Sequence, residues 1–134
     1  MLRISLTMVL LTLPFFLGCG DGGPATYTVK GNVTLDGQPI SSGSILLRDP
    51  SRQVGSAEAQ IVNGVYELET LPGDKSVEIS ARKEVPLPGG KTNIEGDSTT
   101  FVESIPARYN TKSTLQLKVD SNLNQQDFSL KTKS

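Results

Sequence analysis

Tyr27-Thr28-Val29-Lys30-Gly31-Asn32-Val33-Thr34-Leu35 alternates apolar and polar side chains, and Asp36-Gly37-Gln38-Pro39 follows it directly. With a period of two, Tyr27, Val29, Val33 and Leu35 share one face and Thr28, Lys30, Asn32 and Thr34 the other, as in a half-buried strand. Asp-Gly favours positive φ and predicts a tight turn, and Pro39, lacking an N–H, stops the ladder. Working outward, Ile45-Leu46-Leu47 is a second apolar run, with the serines and glycine before it read as a loop feeding that strand. Residues 57–62 and 65–69 flank Asn63-Gly64, a strong hairpin signal that points Tyr66 and Leu68 at the core. Leu71-Pro72-Gly73-Asp74 reads as a turn leading into an alternating run at 77–81. Strands at 114–119 and 127–130 complete the set, with Leu115, Leu117, Val119, Phe128 and Leu130 inward. No stretch after residue 26 has helical period, so the expected fold is all-β, an antiparallel β-sandwich of about seven strands.

Upstream of this domain lie a short segment with Arg3, an apolar run from Ile4 to Leu17, then Gly18 and the sole cysteine, Cys19. A spanning helix needs roughly 20 apolar residues, and this run is shorter and contains Pro14. The segment reads as a cleaved signal peptide. Phe16-Leu17-Gly18-Cys19 resembles the processing site of bacterial lipoproteins, with Phe16 where leucine is usual. The resemblance implies cleavage between Gly18 and Cys19, a thiol carrying diacylglycerol, and acylation (palmitate) at the new amino terminus. An ordinary secreted protein cut after Gly20 is the alternative, since Gly18 and Gly20 are both small. Lipidation would anchor the chain firmly, because each buried methylene contributes about 0.8 kcal/mol. Gly20-Asp21-Gly22-Gly23-Pro24-Ala25-Thr26 would then be a flexible tether with a reach of about 15 Å. The organisation expected is signal peptide 1–18, lipidated cysteine and tether 19–26, and β-domain 27–134, placed in the cell envelope on a membrane facing the periplasm or the cell exterior.

Thirteen bases face 14 acids in the whole chain, and without Arg3 the balance becomes 12 to 14, a formal −2. That balance argues against nucleic acid and against a polybasic lipid binder. With Cys19 acylated, no thiol remains for a disulfide, so packing must hold the domain together.

The opening strand and turn from Val29 to Ile40, Gly43-Ser44-Ile45, Asn63-Gly64-Val65-Tyr66-Glu67-Leu68 and Leu71-Pro72-Gly73 resemble the carboxypeptidase regulatory-like domain, also called transthyretin-like or prealbumin-like. Ile105-Pro106-Ala107-Arg108-Tyr109-Asn110 with Ser113-Thr114-Leu115 is similar to the closing segment of small bacterial lipoproteins built on that domain. The resemblance implies a prealbumin-like sandwich and a role as appendage, spacer or binding module. One departure is Lys75, where the family often has an aromatic residue.

Histidine is absent, which removes the commonest general base and metal ligand. Related hydrolases on the same fold depend on histidines and a C-terminal Tyr-Arg-Gly-Ser, whereas this chain ends Leu130-Lys131-Thr132-Lys133-Ser134. Ser41, Ser42 and Ser44 lack a Gly-x-Ser-x-Gly elbow. No catalytic residue, cofactor or metal is expected. Glu95-Gly96-Asp97 offers only two carboxylates, too few to form a calcium cage.

Lys83 to Thr100 is expected to be a long polar loop, either a mobile surface segment or a partner-binding loop with Val85, Leu87 and Ile94 as apolar anchors. Arg108, Tyr109 and Asn110 form either a ligand-facing trio or a structural corner. The function expected is a non-catalytic binding or scaffolding module, held to the membrane by acyl chains on Cys19 and facing an unknown protein or cell-envelope partner. Two alternatives are a regulatory subunit acting in trans on an enzyme and a carbohydrate or cell-wall binder using Tyr27, Tyr66 or Tyr109. The second is weakened by the absence of tryptophan.

Overall fold

The computed structural model describes residues 22–51 and 55–133, so Gly18 and Cys19 lie outside the described residues. The strands are β1 (Tyr27–Leu35), β2 (Gln38–Pro39), β3 (Ser42–Arg48), β4 (Ala57–Val62), β5 (Val65–Thr70), β6 (Gly73–Ser80), β7 (Arg82–Pro86), β8 (Thr99–Glu103), β9 (Gln116–Val119) and β10 (Phe128–Leu130). Two short 3₁₀ turns, Pro88–Gly90 and Ala107–Tyr109, interrupt them. No helix among the described residues is long and apolar enough to cross a membrane.

Seven strands form one curled sheet in the order β10-β1-β5-β4-β3-β6-β9, with β2 paired to β1, and the curl closes over its own core as an all-β sandwich. Pairing is antiparallel except where β10 runs parallel to β1, with Val33 opposite Phe128 and Leu35 opposite Leu130. The two predicted turns supply the local geometry. Asp36 and Gly37 have φ of 51° and 83°, and Asn63 and Gly64 have 51° and 82°, so each pair takes the two successive positive φ values that match the twist of a hairpin.

Alternation decides the core. Val29, Val33, Ile45, Leu47, Ile61, Val77 and Ile79 are fully buried, joined by Tyr66, Leu68, Leu117, Val119, Phe128 and Leu130, while Tyr27, Leu35 and Leu115 pack half-buried at its margin. Transfer of side chains of this size out of water contributes about 1.5–3 kcal/mol each.

Segment 120–127, of which only Asp127 falls in an expected strand, lies along β1. Leu123 exchanges backbone bonds with Thr28 and Lys30 (both 2.8 Å), and the Gln126 N–H donates to the Lys30 carbonyl at 2.9 Å. The Asn122 and Asp127 side chains accept from the Thr28 and Asn32 amides at 2.9 and 2.7 Å. Gly31 makes this approach possible, because a Cβ there would sit 2.1 Å from the Gln126 carbonyl oxygen. The Tyr66 hydroxyl, opposite Gly31 in the β1–β5 ladder, donates to that same oxygen at 2.7 Å. Burial, with a smaller contribution from the Asp127 charge, pushes the Tyr66 phenol well above its usual range, so it stays a donor.

Three expectations need correction. β3 begins at Ser42, so Ser42, Gly43 and Ser44 are strand residues; β3 is a central strand whose Ser44 pairs with both Gln60 and Ser80, and two neighbours extend it beyond its apolar run. β6 likewise begins at Gly73, since Gly73 and Asp74 pair with Val119 and Lys118. The stretch from Lys83 to Thr100 is not one long loop: its two ends are β7 and β8, paired from Arg82 opposite Glu103 to Pro86 opposite Thr99. The irregular part shrinks to residues 87–98, closed by the Leu87 N–H donating to the Ser98 carbonyl at 2.9 Å.

Candidate functional site

The β7–β8 hairpin leaves the sheet at Ala81 and is tied back at its base. One carboxylate oxygen of Glu103 accepts from the Ala81 and Ile105 amides at 3.0 and 2.9 Å, and the Ser104 amide and hydroxyl both donate to the Ala81 carbonyl at 2.8 and 2.7 Å. These bonds replace the ladder where the chain turns out of the sheet, and they fix the hairpin's direction.

Cross-strand partners in an antiparallel ladder project to the same side. Arg82, Glu84, Phe101 and Glu103 therefore form one face of the hairpin, and Lys83, Val85, Thr100 and Val102 the other. The outward row of the main sheet at the same end carries Ser42, Ser44, Gln60 and Ser80, in register across β4, β3 and β6. The hairpin face and this row enclose an open groove of about 700 Å³, floored by the three serines and Gln60 and walled by Arg82, Phe101 and Glu103. A second hollow of about 420 Å³ adjoins it, where Leu35, Pro39 and Ile40 meet Arg82 and Lys83. Ser42, Ala81 and Arg82 border both.

The groove's chemistry is polar and nearly uncharged at its floor. Among the described residues the side chains of Ser42, Ser44, Gln60 and Ser80 make no hydrogen bond within the protein. Phe101, at the wall, is 66 % exposed. Arg82 lies opposite Glu103 in the ladder, yet the ion pair seen among the described residues is Arg48–Glu78 at 3.4 Å, on β3 and β6.

The residues singled out from the sequence are distributed differently. Val85 is half-buried on the hairpin face away from Phe101, Leu87 follows that strand, and Ile94 stands fully exposed at the tip. The three do not join the core, and the fold does not gather them on one strand face. Glu95 and Asp97 belong to a self-bonded turn in which the Asn93 side-chain oxygen accepts from both their amides, at 3.0 and 2.8 Å. Among the described residues no three metal-ligating side chains come together.

Arg108, Tyr109 and Asn110 are engaged with the chain itself. Asn110 is buried, donating to the Ile105 carbonyl at 3.2 Å and accepting from the Thr111 amide at 2.6 Å. The Tyr109 hydroxyl accepts from the Lys131 amide at 3.2 Å, Arg108 donates to the Lys131 carbonyl, and its guanidinium lies 4.8 Å from the Tyr109 ring centroid. The hydrogen bond from Arg108 lowers the Tyr109 phenol from its usual value. Next to this clamp, Asp36 accepts from the Thr132 hydroxyl and amide at 2.7 and 3.0 Å, which holds its carboxyl below the usual range. Arg108 and Tyr109 thus staple the segment after β10 to the body, while Asn110 closes the corner on its own neighbours. Tyr109→Phe is expected to cost about 0.5–1 kcal/mol, the net value of one hydrogen bond, read as a lower urea midpoint with an unchanged slope.

The tyrosines named for sugar stacking are not displayed. Tyr66 is 1 % exposed, Tyr27 and Tyr109 pack half-buried against the core, and among the described residues the exposed aromatic residue is Phe101. No family model, curated protein or solved structure matches the chain. Sequence reasoning weighed Ser42 and Ser44 only as nucleophiles on a loop, and it missed Gln60, Ser80 and Phe101, the last because it sits in a short alternating run beyond a Pro/Gly-rich stretch. The alternation across Thr99–Glu103, matched by that of Arg82–Pro86, was the available signal.

Proposed function

We propose that the protein is a lipid-anchored, extracytoplasmic, non-catalytic binding or scaffolding module. The observation that carries this reading is the hairpin groove: polar groups without internal partners beside the exposed Phe101, with the hairpin tied to the sheet by bonds at its base. The absence of histidine and the placement of the only cysteine at Cys19 support a non-catalytic role and an anchor. Tethered through residues 19–26, the domain would work close to the bilayer surface. The resemblance to carboxypeptidase regulatory-like modules is in keeping with an appendage that binds.

The test is made in cells. A photo-cross-linking amino acid at position 101 is expected to capture an envelope component from the membrane fraction. Cys19→Ala is expected to move the protein out of that fraction and reduce the capture. A Cys19→Ala chain that stays in the membrane fraction would refute the anchor. A position 101 that captures nothing would refute the binding role.

A further inference from the structure

We infer that the groove between the β7–β8 hairpin and the outer face of the sheet is a saccharide-binding subsite. The inference rests on the binding-module reading and names its ligand class. Four observations carry it. First, the floor consists of hydroxyls from Ser42, Ser44 and Ser80 and the amide of Gln60, groups that both donate and accept. Their β-register spaces them as a two-dimensional array, Ser44 lying directly between Gln60 and Ser80. Second, none of the four is bonded within the protein among the described residues, so each is free to exchange water for a ligand hydroxyl. Third, Phe101 lines the groove beside this array and is 66 % exposed. The negative face of an aromatic ring attracts the weakly positive C–H edge that one side of a sugar ring presents. Fourth, Arg82 lines both the groove and the second hollow. Glu103, its ladder partner, already directs an oxygen to the Ala81 and Ile105 amides.

A hydroxyl-rich ligand with one apolar face satisfies all four. A protein partner is matched less well, because hot spots form around clustered apolar and aromatic anchors, and this wall offers a single ring beside a polar floor. The open groove of about 700 Å³ admits an oligosaccharide rather than an enclosed small molecule. Arg82 would bond the hydroxyls of a neutral chain or the carboxylate of a uronate, two variants of one chemistry.

The experiment uses the acylated protein in detergent micelles. It is applied to immobilised neutral and uronate-bearing oligosaccharides and to the polysaccharide fraction of the producing cell's own envelope. Retention is expected on at least one of these. Phe101→Ala should weaken it tenfold or more and Gln60→Ala several-fold, with melting temperatures unchanged because both side chains are exposed. Retention lost with Arg82→Ala on uronate chains alone would identify the acidic variant, and equal loss on both the neutral one. No retention on any probe, or retention indifferent to both Phe101→Ala and Gln60→Ala, overturns the inference. If position 101 then captures a protein in cells, the binding-module reading survives while the saccharide assignment falls; if it captures nothing, both fall.

Discussion

Gly31→Ala is expected to destabilise the domain by about 3–4 kcal/mol and to lower its melting temperature by about 15 °C or more. The added Cβ would lie 2.1 Å from the Gln126 carbonyl oxygen and 2.5 Å from its carbon, and both are backbone atoms that cannot rotate away. Segment 120–127 would have to lift off β1. Lifting it breaks the Gln126-to-Lys30 backbone bond and strips the buried Tyr66 hydroxyl of its acceptor. Overpacking alone costs roughly 1–3 kcal/mol, and an unmet buried hydroxyl adds about 1–3. Tyr66→Phe provides the control: it removes the donor without the clash and should lose only about 1 kcal/mol. A Gly31→Ala domain that melts within about 3 °C of wild type would show that the strap is not packed on β1 as described.

Lys75→Met is expected to act in the opposite direction, raising stability by about 2 kcal/mol and the melting temperature by about 10 °C. Lys75 alternates with Val77 and Ile79 on the inward face of β6 and is 1 % exposed. Its ammonium nitrogen is buried with no hydrogen-bond partner among the described residues. Asp49, which follows the last residue of β3, feels the charge of Lys75, but that carboxylate is occupied. It accepts from the Ser51 amide and hydroxyl at 2.7 and 2.6 Å, and these bonds lower the Asp49 carboxyl more than the charge of Lys75 does. An ammonium withdrawn from water without an acceptor costs several kcal/mol. Methionine keeps the length and flexibility of the stem and removes the charge. A lower melting temperature for Lys75→Met would reveal an acceptor for the ammonium and overturn this account.

Both positions show where local pattern stops being informative. Gly31 interrupts the alternation of β1, and its neighbours do not announce that Gln126 will lie against it. Lys75, two residues after a turn glycine, has the composition of a loop margin, yet the period of β6 carries it inward. Tyr109 and Arg108 read locally as a corner or a ligand trio, and the partner that engages them, Lys131, is distant in the chain. The groove was least legible of all. Its floor comes from β3, β4 and β6 and its wall from β7 and β8, and no stretch of the chain contains more than a fragment of it.

By itself, then, the sequence determined the all-β class, the inward set from Val29 to Leu130, and the Asp36-Gly37 and Asn63-Gly64 turns. These depend on alternation with period two and on residues that accept positive φ, both properties of a few consecutive residues. Only the tertiary structure decided that β10 would lie parallel to β1, that residues 120–127 would strap the first strand, that Lys75 would be enclosed, and that a hairpin would stand over a row of serines. Those outcomes follow from which edges pair and how the sheet curls. Pairing energy is shared among residues far apart in the chain, and no local window reports it.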